Sequence, residues 1–231
     1  EHLLVRESDG GISRYQLESG EQRRIPEFDG ANYTQLRARQ RGVGMVRLTD
    51  GKSRETSILS AAGGEMKPGV LLRQSSAQFH PVIHHQRLYY AHVSCRAECK
   101  PLIQEVWSKE LQTGYTRQLT LLNATSYLHS VTVDDRYGFI SSNQRGYYHL
   151  ARLDLHSGRI EWLTGGRVTD SFPSISPEGD LYFIRRSAEG SRLMKLPGAD
   201  DGRETVAERQ IEVVELPDEI QKIRYLELNH S

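Results

Sequence analysis

Where the chain is locally regular, apolar and polar positions alternate with a period of two, as in Leu153-Asp154-Leu155, and that is the pattern of a half-buried strand. Clusters of Gly, Asp, Asn and Ser break these runs about every ten residues, too often for helices of useful length. The sequence therefore predicts an all-β protein and disfavours a parallel α/β fold.

The runs recur. Tyr15-Gln16-Leu17-Glu18-Ser19-Gly20, Lys109-Glu110-Leu111-Gln112-Thr113-Gly114 and Leu153-Asp154-Leu155-His156-Ser157-Gly158 share a strand and a Ser/Thr-Gly turn. The last two continue alike into Gln118-Leu119-Thr120 and Trp162-Leu163-Thr164. Gly64 and Gly202 keep the phase, so the turn glycines Gly20, Gly64, Gly114, Gly158 and Gly202 are spaced by 44, 50, 44 and 44 residues. Glycine suits a hairpin position with positive φ because it has no Cβ. A second apolar series runs in the same phase: Leu3-Leu4-Val5, Met45-Val46, Leu88-Tyr89-Tyr90, Tyr137-Gly138-Phe139-Ile140 and Leu181-Tyr182-Phe183-Ile184.

Short strands repeating at about 44 residues are the mark of propeller blades. We expect a single β-propeller over residues 1–231, with about five four-stranded blades: 1–36 plus 220–231, 37–80, 81–129, 130–173 and 174–219. The first unit opens on its second strand. Ile223-Arg224-Tyr225-Leu226-Glu227-Leu228 is expected to supply the missing one beside Leu3-Leu4-Val5, closing the ring and removing two open sheet edges.

Composition narrows the function. Thirty basic residues balance thirty acidic ones, so no overall field would gather phosphate polyanions and nucleic-acid binding is not expected. No stretch is long and apolar enough to span a membrane as a helix. The sequence opens at Glu1 without Met or a leader, and an upstream signal peptide, anchor or domain is expected. Cys95 and Cys99 are the two cysteines. Their spacing suits a disulfide at a hairpin tip, in the enlarged third period, if the Cα atoms come within reach. Such a ring would contribute about 2 kcal/mol and would imply a secreted or periplasmic setting. Two reduced thiols in a polar loop are the alternative, and zinc binding with His92 lacks a second ligand pair.

Ser171-Phe172-Pro173-Ser174-Ile175-Ser176-Pro177-Glu178-Gly179-Asp180 leads into the apolar strand Leu181-Tyr182-Phe183-Ile184. It resembles the aromatic-Ser-Pro-Asp-Gly strand-turn-strand element of TolB-like, WD40-like propeller repeats. His129-Ser130-Val131-Thr132-Val133-Asp134-Asp135-Arg136 matches it one period earlier. The resemblance implies a propeller used for protein contacts in the bacterial envelope, or joined to a peptidase or a membrane-anchored transcription regulator. It implies no catalytic residues.

The phase places His80, His129 and Pro173 alike, just before the inner strand, where side chains would rim a central channel. His80, His129 and Asp170 are therefore the candidate ligand-binding residues, with polar rim residues facing water as the plainer reading. His84 and His85 are expected to point to opposite faces and to share no ligand. Tyr89, Tyr90, Tyr147, Tyr148, Phe172, Tyr182 and Phe183 are expected to pack blade against blade. Asp134-Asp135 and Asp200-Asp201 are expected to cap turns. There is no Gly-x-Ser-x-Gly elbow and no phosphate-binding Gly-rich loop. The sequence points to a non-catalytic binding or sensing propeller of the periplasm, needing no cofactor and taking a protein or small ligand on one face. It would have no membrane contact of its own. A propeller-type lyase or glycosidase centred on His80 and His129, or the gating propeller of a larger peptidase, is the alternative.

Overall fold

A computed structural model describes residues 2–6, 11–16, 19–26, 32–39, 42–48, 56–61, 69–74, 78–94, 103–201 and 211–215. Among the described residues there is no α-helix, and the strands form five antiparallel sheets in chain order. The first sheet holds β1 (His2–Arg6), β2 (Ile12–Gln16) and β3 (Gln22–Arg24). The second holds β4 (Asn32–Arg39), β5 (Gly42–Leu48), β6 (Thr56–Ala61) and β7 (Gly69–Gln74), and the third β8 (Gln78–His84), β9 (Arg87–Ser94), β10 (Ile103–Glu110) and β11 (Thr116–Gln118). The fourth comprises β12 (Ser126–Val131), β13 (Tyr137–Arg145), β14 (Tyr147–Asp154) and β15 (Ile160–Trp162), and the fifth β16 (Thr169–Ile175), β17 (Leu181–Ser187), β18 (Gly190–Leu196) and β19 (Glu212–Val213).

The repeated turns are one structure used three times. Gly20, Gly114 and Gly158 have φ of 69°, 77° and 79°, and their N–H groups donate to the carbonyls of Gln16, Glu110 and Asp154 at 2.9, 2.9 and 2.8 Å. The preceding Ser19, Thr113 and Ser157 hydroxyls accept the N–H two residues on. A Ser/Thr-Gly pair is therefore what this turn demands: a hydroxyl to satisfy one donor and a residue without Cβ to enter the left-handed region. Gly64 and Gly202 lie outside the described residues.

The Leu-Thr pairs after these hairpins also have a structural reason. Leu119 and Leu163 donate their N–H to the carbonyls of Val106 and Leu150. Thr120 and Thr164 return a hydroxyl acceptor to the N–H of the same two residues, both at 2.9 Å. The outermost strand is thus held to its neighbour past the end of regular pairing, and the Val106 and Leu150 N–H groups each find an acceptor.

The sheets pack face to face. Leu72, Leu88 and Tyr90 join the second sheet to the third. Val82, Tyr89 and Val106 meet Leu128, Ile140, Ala151 and Leu153 between the third and fourth. Phe139 and Leu150 meet Leu181, Phe183 and Leu196 between the fourth and fifth. Neighbours such as Phe139 and Ile140 serve opposite faces, as strand geometry requires. Basic side chains add polar ties between sheets: Lys109 Nζ donates to Leu71 O, Arg117 Nη2 to Leu155 O and Arg152 Nη1 to Ala199 O.

Two expectations need revising. Strands β4, β8, β12 and β16 open their sheets, so the divisions expected at 36/37, 80/81, 129/130 and 173/174 fall inside strands instead of between sheets. Three of these divisions follow His80, His129 and Pro173, which sit at bulges within the strands. The aromatic set also divides. Tyr89, Tyr90 and Phe183 are core, whereas Tyr147 and Phe172 are about half exposed, at a hairpin end and a bulge respectively. The first sheet shows three strands among the described residues; the closing strand at 223–228 lies outside them.

Candidate binding site on the inner strands

Each of β8, β12 and β16 carries a register shift against its partner, between Phe79 and Val82, Leu128 and Ser130, and Ser171 and Ser174. A bulge re-aims side chains that regular alternation would send into the sheet faces. His80 and Phe172 occupy the same place in it. Each precedes a proline and has positive φ, 51° and 58°, although a residue before proline is normally held extended. Phe172, rather than Pro173, is thus the counterpart of His80.

The bulges bring aromatic rings from three consecutive sheets together. The His80 ring lies 4.1 Å from Tyr127 and 5.5 Å, edge-on, from His129. His129 meets Phe172 edge-on at 5.7 Å, and Tyr127 stacks on Tyr148 at 6.3 Å with 16° between planes. His129 is buried and its Nε2 lies 2.8 Å from Ser141 Oγ. Burial, aided by the charge and hydrogen bond of Tyr148, pushes the Tyr127 hydroxyl up to about 12. Ser130 anchors the two strands beneath, donating to Pro173 O at 3.1 Å and accepting from Ile175 N at 3.3 Å. The expected pairing of His80 with His129 is therefore present. Sequence reasoning missed Tyr127, and it assigned Tyr148 to blade packing rather than to this group. Tyr127 stands two residues before His129, and a period-two reading back from that histidine would have found it.

Asp170, two positions before Phe172 on β16, is elsewhere engaged. Its fully buried carboxylate accepts from Arg185 Nε at 2.8 Å and Nη2 at 2.9 Å. A carboxylate held in a guanidinium fork is a structural anchor here, not an open ligand position. Nearby His149 is buried, and burial holds its imidazole below the ordinary range, with Asp170 opposing the shift and Arg145 and Arg185 adding to it.

A second cluster contradicts the strand-based expectation. His84 ends β8, and His85 enters the turn with φ of 46°. That left-handed residue breaks the alternation that would have sent the two rings apart. Both reach the same carboxylate in the next sheet: His84 Nε2 lies 2.9 Å from Asp135 Oδ1 and His85 Nδ1 2.7 Å from Oδ2. Asp134 behaves as expected, taking hydrogen bonds from the Thr132 hydroxyl and the Arg136 N–H. His92 packs on Trp107 at 5.5 Å. Cys95 and Cys99 lie outside the described residues.

No protein-family model matches the sequence, and no curated protein matches it. Solved structures do match. A putative TolB from Agrobacterium tumefaciens superposes with a TM-score of 0.67 at 15% identity, covering 92% of this chain and 76% of that one. TolB from Acinetobacter baumannii gives 0.71 at 9% identity over 92% of this chain, which spans 51% of that protein. The β-propeller domain of the Trilobed protease from Pyrococcus furiosus, described as having an open velcro topology, gives 0.61 at 12% identity, covering 94% and 67%. Four-stranded antiparallel sheets stacked in chain order, with these structural relatives, show that the chain has the β-propeller fold found in TolB.

Proposed function

We propose that this chain is a non-catalytic interaction propeller of about five blades, working outside the cytoplasm, with the inner-strand bulges as its recognition surface. The observation that carries the reading is the convergence of His80, Tyr127, His129 and Phe172 from three consecutive sheets. Rings fixed by strands offer large contact area at small entropic cost, and protein-binding hot spots are enriched in aromatic anchors. Phe172 stands half exposed at the edge of this group and is the natural anchor for an apolar or aromatic group on a partner. The likeness to TolB and to the propeller of a protease supports a domain that presents a stiff surface to another protein.

In its more specific form the chain is the periplasmic sensor domain of a membrane-anchored regulator, with a Cys95–Cys99 disulfide at a hairpin tip. The test is affinity capture from a periplasmic extract by wild-type chain and by Phe172→Ala and His80→Ala variants of matched stability. Specific capture by wild type, reduced at least tenfold in both variants, supports the reading. Identical capture by all three, or none by any, sinks it.

A further inference from the structure

The cluster at His84, His85 and Asp135 lies apart from the aromatic surface and has its own chemistry. His84 and His85 come from the β8–β9 hairpin of the third sheet, and Asp135 from the β12–β13 turn of the fourth. The two imidazoles sit 4.3 Å apart between ring centroids. One nitrogen from each and a carboxylate oxygen all lie within 4.8 Å of one another. We propose that these three residues form a binding site for a first-row divalent transition-metal ion of the zinc type, bridging two neighbouring sheets.

The donor set selects the class of ion. Two imidazoles and one carboxylate suit zinc and its neighbours, whereas calcium and magnesium require mostly oxygen ligands. Three protein donors leave a fourth position for water or for a group on a partner. The spacing is close to what is needed. Four-coordinate zinc with bonds of about 2.0–2.1 Å places its ligand atoms roughly 3.3 Å apart, and the present ion-pair distances are 2.9 and 2.7 Å. Small rotations of His85 and Asp135 open that gap, and both side chains are free to make them, being 59% and 42% exposed. His84, 11% exposed, is the fixed ligand at the floor.

The backbone is arranged for convergence. His85 and Asp135 both adopt left-handed φ, 46° and 61°, a region that few non-glycine residues enter. The corresponding turn of the fifth sheet uses Gly179, with φ of 88° and the same N–H donation, to Ser176 O, that Asp135 makes to Thr132 O. Where the sibling turn has glycine, this one has Asp135, whose carboxylate stands before two imidazoles. Asp134 is occupied by Thr132 and the Arg136 N–H and does not compete for the ion.

The test uses the whole chain without an affinity tag, stripped of metal and titrated with zinc by calorimetry and with cobalt(II) by visible absorption. Uptake of one equivalent, with cobalt bands of a four- or five-coordinate site, is expected. His85→Ala and Asp135→Asn should each weaken zinc binding by at least about tenfold, since even outer-shell partners of metal ligands are worth that much. Both positions are exposed, and asparagine tolerates the left-handed region, so the variants should fold; circular dichroism of the metal-free forms checks this. A Cys95→Ser/Cys99→Ser chain should bind as wild type. The proposal is overturned if wild type takes up no zinc, if the two variants bind unchanged, or if only the cysteine variant loses binding.

Discussion

Arg185 grips Asp170 through two parallel hydrogen bonds of 2.8 and 2.9 Å, and the two partners differ sharply in exposure: the aspartate side chain is fully buried, while the arginine side chain is 24% exposed. Removing one partner of a buried pair costs about 3–5 kcal/mol when the survivor stays buried and charged. Arg185→Met leaves such a survivor, because Asp170 has no access to water. Asp170→Asn leaves an arginine that can turn towards solvent. Urea denaturation should therefore show Arg185→Met losing about 3–5 kcal/mol and Asp170→Asn clearly less. The reverse order would mean that Asp170 is open to solvent or a ligand after all.

The threonines that follow the outer strands offer a second comparison. Thr164→Val keeps shape but leaves the Leu150 N–H buried without its hydroxyl acceptor, at a cost of about 1–3 kcal/mol. Thr164→Ser restores the acceptor and should recover most of it. Thr120 has a further role, since its hydroxyl also donates to Glu105, whose other oxygen accepts from Asn123 N at 2.7 Å. Thr120→Val should consequently exceed Thr164→Val in the same denaturation series. Equal losses would show that the Glu105 link contributes nothing.

These threonines, and the turn glycines before them, were visible as a repeat because local chemistry dictates them: the same hydrogen bonds recur and so do the residues. The inner strands were less legible. His80-Pro81 and Phe172-Pro173 sit at bulges that interrupt alternation, so the phase marked His80 and His129 as preceding strands that in fact contain them. Their meeting was still foreseeable, because adjacent repeats place equivalent strands side by side. The His84–His85–Asp135 cluster was not. Its partners are 50 residues apart in sequence, and two left-handed residues, neither of them glycine, turn the side chains from the directions that strand geometry gives.

At Gly158 the cost of a side chain can be separated from crowding. A Cβ there would meet nothing closer than Leu119 O at 3.9 Å, so Gly158→Ala tests the left-handed backbone alone. A loss of about 1–2 kcal/mol is expected, with Gly158→Asn losing less because asparagine enters this region more readily. Gly114, with φ of 77° and open space around its Cβ direction, should respond alike. A neutral Gly158→Ala would remove the reason offered for the spacing of glycines along the chain.

Acid should weaken the protein in two separate windows. Burial holds His149 and His92 below the ordinary imidazole value of 6.5. Below that value the unfolded chain protonates these rings and the folded chain does not yet, so the unfolded state binds more protons and stability falls as pH drops, levelling once the folded rings titrate. Above 6.5 neither ring contributes. Asp134, Asp154 and Asp180 act later. Hydrogen bonds from the Thr132 hydroxyl, the Ser157 N–H and Lys195 respectively, the largest influence on each, hold them below 3.8, so their contribution is intact above that value and is lost only as pH falls further. His149 is the cleaner probe, since it is fully buried and its Nδ1 has no hydrogen-bond partner among the described residues. His149→Leu cannot take up a proton. Its urea midpoint should fall less than that of wild type between pH 7 and pH 5, while the difference between the two chains stays constant above pH 7. Parallel curves across the whole range would mean that His149 protonates as readily in the folded protein as in the unfolded one.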